Sequence, residues 1–150
     1  MTSWSFTRTV QATPQTIFGV VSDPLRMSEA VPCSQSVEFL SEQQSGVGTR
    51  FRETRDMNGK PQVNDLEITE LVDDERVRMV TDSHGAVWDS TFLIRPEGDQ
   101  ASLTITMDAR PHKLMPKIMI PIFKGMIGKG LEKDLASISA FCEQCSPDAR

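Results

Sequence analysis

ASLTITMDA, residues 101–109, sets Leu103, Ile105, Met107 and Ala109 against Thr104, Thr106 and Asp108. Side chains of a strand point alternately to its two faces, so this period of two describes a half-buried strand. The period then changes. From Leu114 to Cys145 the chain is apolar and rich in methionine, with a repeat close to the ~3.6 residues of a helical turn. A strand therefore feeds a long closing helix.

Upstream, Trp4, Phe6, Arg8 and Val10 alternate with Ser5, Thr7 and Thr9, which gives a first strand. Thr13-Pro14 offers an N-cap followed by proline at the first helical position, and Ile17, Phe18, Val20 and Val21 give the short helix a buried side. Asp23-Pro24 stops that helix and caps a second short one, which Pro32 ends. Strands follow over 36–40, 49–55, 62–72, 76–81 and 86–94, before the strand at 101–109. The joints between them are short. Asn58-Gly59 favours positive φ at both centre positions of a hairpin turn, and Ser83-His84-Gly85 turns the chain again. Short strands on short turns form a meander, hence an antiparallel sheet. The expected class is α+β, one domain over 1–150, with two short helices after the first strand.

The closing helix is uneven. Pro116 and Pro121 constrain its start, and Gly125, Gly128 and Gly130 weaken its middle by about 1 kcal/mol each relative to alanine. Beyond them Leu131, Leu135, Ile138 and Cys142 fall on one stripe, opposite Lys129, Glu132 and Lys133. The second half is a firm amphipathic helix; the first is apolar, poorly pinned and free to kink.

Composition narrows the partners. Charged residues are 25% and hydrophobic ones 38%, the balance of an ordinary globular chain. A net charge of −5 argues against a nucleic-acid or anionic-membrane partner, because an acidic surface does not attract phosphates. Leu114–Met126 is too short for a membrane span and carries Lys117 and Lys124. No signal-peptide pattern opens the chain, so a cytoplasmic location is expected.

Cys33, Cys142 and Cys145 fit no disulfide framework. Cys142-x-x-Cys145 lies near the end of a helix rather than at its start, where a dipole would activate a thiol, so packing is its better account. His84 and His112 sit in turns, and no His/Cys cluster has metal-ligand spacing. No nucleophile elbow or phosphate-binding glycine loop is present, and no cofactor or metal is expected.

Val10-Gln11-Ala12-Thr13-Pro14, Ile17-Phe18 and Ser22-Asp23-Pro24 resemble the strand-to-helix opening of the START-like, polyketide cyclase/dehydrase and lipid-transport superfamily (SRPBCC), which includes the birch-pollen-allergen fold. Gly46-Val47-Gly48-Thr49-Arg50-Phe51 is similar to its glycine turn, and Ile68–Leu71 and Trp88–Phe92 to its middle strands. The resemblance implies a helix-grip fold: a seven-stranded curved antiparallel sheet around the C-terminal helix, with an apolar cavity between. It spans lipid carriers, hormone receptors, aromatase-cyclases, chaperone activators and coenzyme-Q-binding proteins, so it says little of function.

Candidate ligand-binding residues come from faces and composition. Trp88, Ser90 and Phe92 share a face of one strand; Met107 lies on another, with Phe51 and Met79 on neighbouring strands and Met115, Met119 and Phe123 on the loose half of the helix. A plain hydrophobic core is the alternative to a methionine-lined cavity. Arg8 lies between Phe6 and Val10, Glu53 two residues after Phe51, and Glu70 two after Ile68. Facing inward, such charges would anchor a polar head or move protons; facing outward at strand ends or bulges, they are solvated. The expected role is binding of a hydrophobic small molecule, with access through the turns at Met57–Gly59 and His84–Gly85 together with the weak start of the last helix. The alternatives are a polyketide cyclase or dehydratase using a pair such as Arg8 with Glu70, and a partner-modulating protein with an exposed apolar patch. Catalytic residues and oligomeric state are left open.

Overall fold

A computed structural model describes residues 1–145. The chain runs β1 (Thr2–Val10), α1 (Pro14–Val21), α2 (Pro24–Ala30), β2 (Ser34–Phe39), β3 (Arg50–Met57), β4 (Lys60–Val72), β5 (Arg76–Ser83), β6 (Ala86–Glu97), β7 (Gln100–Pro111), α3 (Leu114–Ile122) and α4 (Lys124–Gln144). The strands form one antiparallel sheet in the order β1-β7-β6-β5-β4-β3-β2, with β1 and β2 at its edges. Hairpins make every contact but one; β1 closes on β7 across the whole chain.

Local chemistry places the joints. Thr13 Oγ1 accepts a hydrogen bond from Thr16 N at 3.2 Å, and Asp23 Oδ1 one from Leu25 N at 3.0 Å, so both short helices carry the side-chain caps the sequence offers. Asn58 and Gly59 have φ of 56° and 83°, and His84 and Gly85 have 54° and 84°, the paired left-handed positions of tight two-residue turns. The strands run longer than the alternation suggested: β6 continues through Pro96 to Glu97 and β7 to Pro111. Inside a hairpin the ladder extends wherever the partner supplies hydrogen bonds, whatever the side-chain pattern.

The inner face of the sheet carries the core. Ile17, Val20 and Val21 of α1 and Leu135, Ile138 and Cys142 of α4 pack on Phe51, Ile68, Val77, Phe92, Ile94 and Leu103. The stripe expected on the last helix is thus the buried one, while Lys129, Glu132 and Lys133 face water. The helix is not continuous. Pro121 has no N–H to give its preceding turn, and the chain breaks at Phe123 (φ −96°, ψ 13°), leaving α3 and α4 as separate helices. Trp4 holds that joint: its Nε1 donates to the Lys124 carbonyl at 3.0 Å, and Gly128 lies against its ring. The start of α3 is tied to the β5–β6 turn, where the Gly85 carbonyl accepts from His112 N and Lys113 N at 2.9 and 3.2 Å. From this joint α4 runs along β1, with further contacts to β7, α1 and α2.

Candidate functional site: an open end of the grip

Strand register sorts the inner face into rows. Val77 pairs with Phe92 and Phe92 with Ile105, a buried apolar row under the α1 and α4 core. The next row toward the β3–β4 and β5–β6 hairpins is Ile68, Met79, Ser90, Met107 and Trp4. Beyond it Thr81 pairs with Trp88 and Trp88 with Ala109. Last come Glu53 beside Asn64 and Ser83 beside Ala86, joined where Ser83 Oγ donates to Asn64 Oδ1 at 2.7 Å. The face changes along its length from a packed hydrocarbon core to a polar, aromatic-floored trough.

Burial follows the same gradient. Phe51, Met79 and Phe92 are buried in the core, whereas Thr81, Ser83, Trp88, Ser90 and Met107 are all partly accessible. β5 and β6 lie inside the sheet, flanked by strands on both sides. Their inner-face residues reach solvent only where no helix covers them. Trp88 stacks on Trp4 with ring centroids 6.2 Å apart and planes 18° from parallel, an aromatic platform spread over the small Ala109 of the strand between them. Thr81 Oγ1, in the same row, is buried with no hydrogen-bond partner among the described residues.

The polar wall of the trough is charged. Arg55 donates from Nε to Glu53 Oε1 and from Nη1 to Asp134 Oδ2 of α4, both at 3.0 Å. Ser34 Oγ donates to Glu53 Oε2 at 3.4 Å, and Ser28 lies 2.7 Å behind it. Burial works against the guanidinium's charge, but the carboxylates of Glu53 and Asp134 outweigh it and hold the Arg55 pKa above its ordinary value. Two carboxylates share one cation, so the cluster keeps a net negative charge with free acceptor capacity. Arg55 and Asp134 escaped the sequence reading. The spacing Phe51-x-Glu53-x-Arg55 puts the arginine on the inner face and could have flagged it; the Asp134 contact depends on how the helix lies.

The other expected residues fall elsewhere. Ile68 pairs with Met79 but Glu70 with Arg78, a register shift that throws Glu70 to the outer face. There it pairs with Arg76 and lies 3.9 Å from Arg78. Arg8 is exposed on edge strand β1, on the inner-face side with Trp4 and Phe6. Arg8 and Glu70 therefore occupy opposite faces four strands apart, and the acid/base pair drawn from the sequence does not exist. Met115, Met119 and Phe123 point outward from the α3 segment rather than into the sheet. Cys142 is buried, which pushes its thiol up to about 12, and Arg26 Nη2 lies 3.0 Å from Cys145 Sγ. A protonated buried thiol supports packing over redox chemistry.

Two recesses open on the outside of the grip. One of about 340 Å³ lies between α1, the start of α2 and the loop after β2, lined by Ser22, Leu25, Phe39 and Gln44. The other, about 320 Å³, runs along the β1 side of α4 between Trp4, Phe6, Lys124 and Glu132, behind the Trp4–Trp88 pair. Neither is the trough.

A curved seven-stranded antiparallel sheet closed by a long C-terminal helix, with two short helices after the first strand, is the helix-grip class of the START-like and birch-pollen-allergen-like proteins. The profile of the family described as polyketide cyclase / dehydrase and lipid transport matches residues 1–136, and the chain belongs to that family. Solved structures of the same fold include TTHA0849 from Thermus thermophilus, at 16% identity and a TM-score of 0.75 over 97% of this chain and 99% of that one. Ginseng major latex-like protein 151 from Panax ginseng has 11% identity and a TM-score of 0.74, covering 97% of each chain. A START superfamily protein from Mycobacterium smegmatis has 19% identity and a TM-score of 0.73, covering 99% of each. At these identities the likeness is one of fold. No curated protein is significantly similar to the chain in sequence.

Proposed function

We propose that the protein binds a hydrophobic small molecule in the trough between the hairpin end of the sheet and the C-terminal helices. One observation carries this reading: the inner-face residues Thr81, Trp88, Ser90 and Met107 of interior strands remain partly accessible where a packed core would bury them. The Trp4–Trp88 platform and Met107 supply apolar area, worth roughly 25 cal/mol per Å² of ligand surface removed from water. The Glu53–Arg55–Asp134 cluster supplies the placed polar groups that fix orientation, and its net negative charge favours a ligand with a hydroxyl or amine donor over one with a carboxylate. Family membership supports the same reading without naming the ligand.

The trough should quench or shift tryptophan emission when filled, since Trp4 and Trp88 are the chain's two tryptophans. The test uses the uncharged N-phenyl-1-naphthylamine and a long-chain alcohol as probes, with native mass spectrometry of protein from its own host to catch a copurified molecule. Ser90→Phe fills the trough floor from a position that is already partly open, so the variant should fold and lose probe binding at least tenfold. Unchanged binding in a folded Ser90→Phe protein would sink the assignment. Binding that persists there but fails when Lys124 or Glu132 is replaced moves the site to the outer recess along α4.

A further inference from the structure

We infer that the α3 face is a docking surface for an anionic lipid bilayer, a role independent of what the trough holds. Between Ala109 and Leu131 lie five of the chain's 16 Lys and Arg residues (Arg110, Lys113, Lys117, Lys124 and Lys129) and none of its 21 Asp and Glu. The net charge of −5 is an average over a segregated sequence, with this segment basic and the remainder at −10. Arg110 is bonded to Asp89 on the outer face of the sheet, so the lysines carry the charge of the helical surface. Whole-molecule charge therefore does not describe what this face attracts.

The same segment holds most of the large exposed apolar side chains among the described residues. Leu114 is 73% exposed, Met115 68%, Ile122 66%, Met126 67% and Ile118 52%. Leu114, Met115, Ile118 and Ile122 cover one broad arc of α3, and Met126 extends the apolar surface past the break onto α4. The arc is not a loose end. Ile120, on the opposite side of α3, is buried among Trp4, Ala86 and Ala109, and Lys113 is bonded to the Gly85 carbonyl at the start of the helix. The helix is thus pinned by one side with its apolar side turned to water. Lys113 and Lys117, one turn apart, flank that arc, and Lys124 follows at the kink; all are exposed. Their long stems let the ammonium groups reach a headgroup layer while the apolar arc sinks beneath it. No helix among the described residues is long and apolar enough to cross a membrane, so the contact lies on the surface.

Charge decides between occupants. A second copy docking by two-fold symmetry would set Lys113, Lys117 and Lys124 against their own counterparts. Protein partners of ordinary kind are met with aromatic and arginine anchors, whereas the exposed apolar side chains here are leucine, isoleucine and methionine apart from Phe123 at 39%. An anionic bilayer answers both the lysines and the oil, with no geometric demand on either.

The experiment is co-flotation of the full chain with vesicles of phosphatidylcholine carrying about 30% phosphatidylserine, against vesicles of phosphatidylcholine alone. The protein should float with the anionic vesicles and release as salt rises from ~0.05 to ~0.5 M. Lys117→Gln with Lys124→Gln should weaken partitioning about 25-fold, from roughly fivefold per lysine near an anionic surface. Ile118→Ser with Ile122→Ser should abolish it; these side chains are already exposed, so circular dichroism should match the parent. No flotation at low salt overturns the inference. So does flotation that the lysine and isoleucine pairs leave unchanged, a two-fold increase in mass that the isoleucine pair removes, or capture of an acidic protein in place of vesicles.

Discussion

Arg55 on β3 and Asp134 on α4 meet at 3.0 Å, a charged hydrogen bond that crosses from the sheet to the helix it grips. The guanidinium spends its other side on Glu53, also at 3.0 Å, so one cation is divided between strand and helix. Further hydrogen bonds hold α4, from Trp4 Nε1 to the Lys124 carbonyl and from Gln11 N to Glu143 Oε2, both at 3.0 Å. Its contacts with the core are apolar, and a shift along its axis can partly preserve them. A hydrogen bond with fixed donors cannot slide, and the one from Arg55 to Asp134 fixes α4 against β3.

Removing the two partners should have unequal effects. Arg55→Met leaves the Glu53 and Asp134 carboxylates with their cation gone, and is expected to lower unfolding free energy by about 2–3 kcal/mol, less than breaking a fully buried pair because both acids keep some solvent. Asp134→Asn leaves Arg55 paired with Glu53 and should lower it by about 1 kcal/mol. Urea unfolding of both variants checks the order. Asp134→Asn proving the more damaging would mean that the helix, not the guanidinium, is the organising partner.

Two glycines two residues apart in α4 should respond with opposite signs. A Cβ on Gly128 would sit 3.1 Å from Trp4 Cδ1 and 3.6 Å from Phe6 Cζ, both in the sheet beneath it. Relieving that contact displaces Trp4, which holds the α3–α4 joint and half of the aromatic platform. Gly128→Ala is expected to lose about 1 kcal/mol net, overpacking exceeding the helix-propensity gain. A Cβ on Gly130 meets nothing within 4 Å, so Gly130→Ala should gain about 0.5–1 kcal/mol from propensity alone. Melting temperatures that rise for both would show that Trp4 yields freely.

The fold was legible because its signals are local. Caps at Thr13 and Asp23, the Asn58-Gly59 turn, the alternation of β7 and the 131–142 stripe each rest on a few adjacent residues, and each took the expected form. The candidate site rests on non-local facts. Glu70 reads as inward by parity from Leu66 and Ile68, but one register shift before it inverts every later side chain of β4. Met115, Met119 and Phe123 read as cavity lining because apolar helices are ordinarily buried; α3 turns that side outward because Ile120 and the Gly85 carbonyl take the inner one. Trp88 and Phe92 look alike in sequence, four positions apart on one face, and only the cover of the helices separates a trough floor from a core residue.

On the outer face Asp89 is 6% exposed and accepts from Arg78 Nε and Nη2 at 2.9 and 2.6 Å and from Arg110 Nη2 at 3.1 Å. The Arg78 hydrogen bonds are the largest influence on its carboxyl; burial opposes them, Arg110 adds to them, and the pKa is lowered from its ordinary value. A depressed folded-state pKa gives stability that is complete above the unfolded value of about 3.9 and drains away as pH falls through the folded one, because the unfolded chain takes up the proton first. Asp89→Asn should therefore lose about 1–2 kcal/mol at neutral pH, a modest figure because Arg78 and Arg110 are exposed enough to be solvated when left alone. The gap between parent and variant should hold steady from pH 8 to about pH 5, then narrow below about pH 4. Urea unfolding across that range decides it. A gap that widens on acidification would mean that Asp89 is strained rather than stabilised by its two arginines, and that the inner row opposite it is ordered by the hairpin alone.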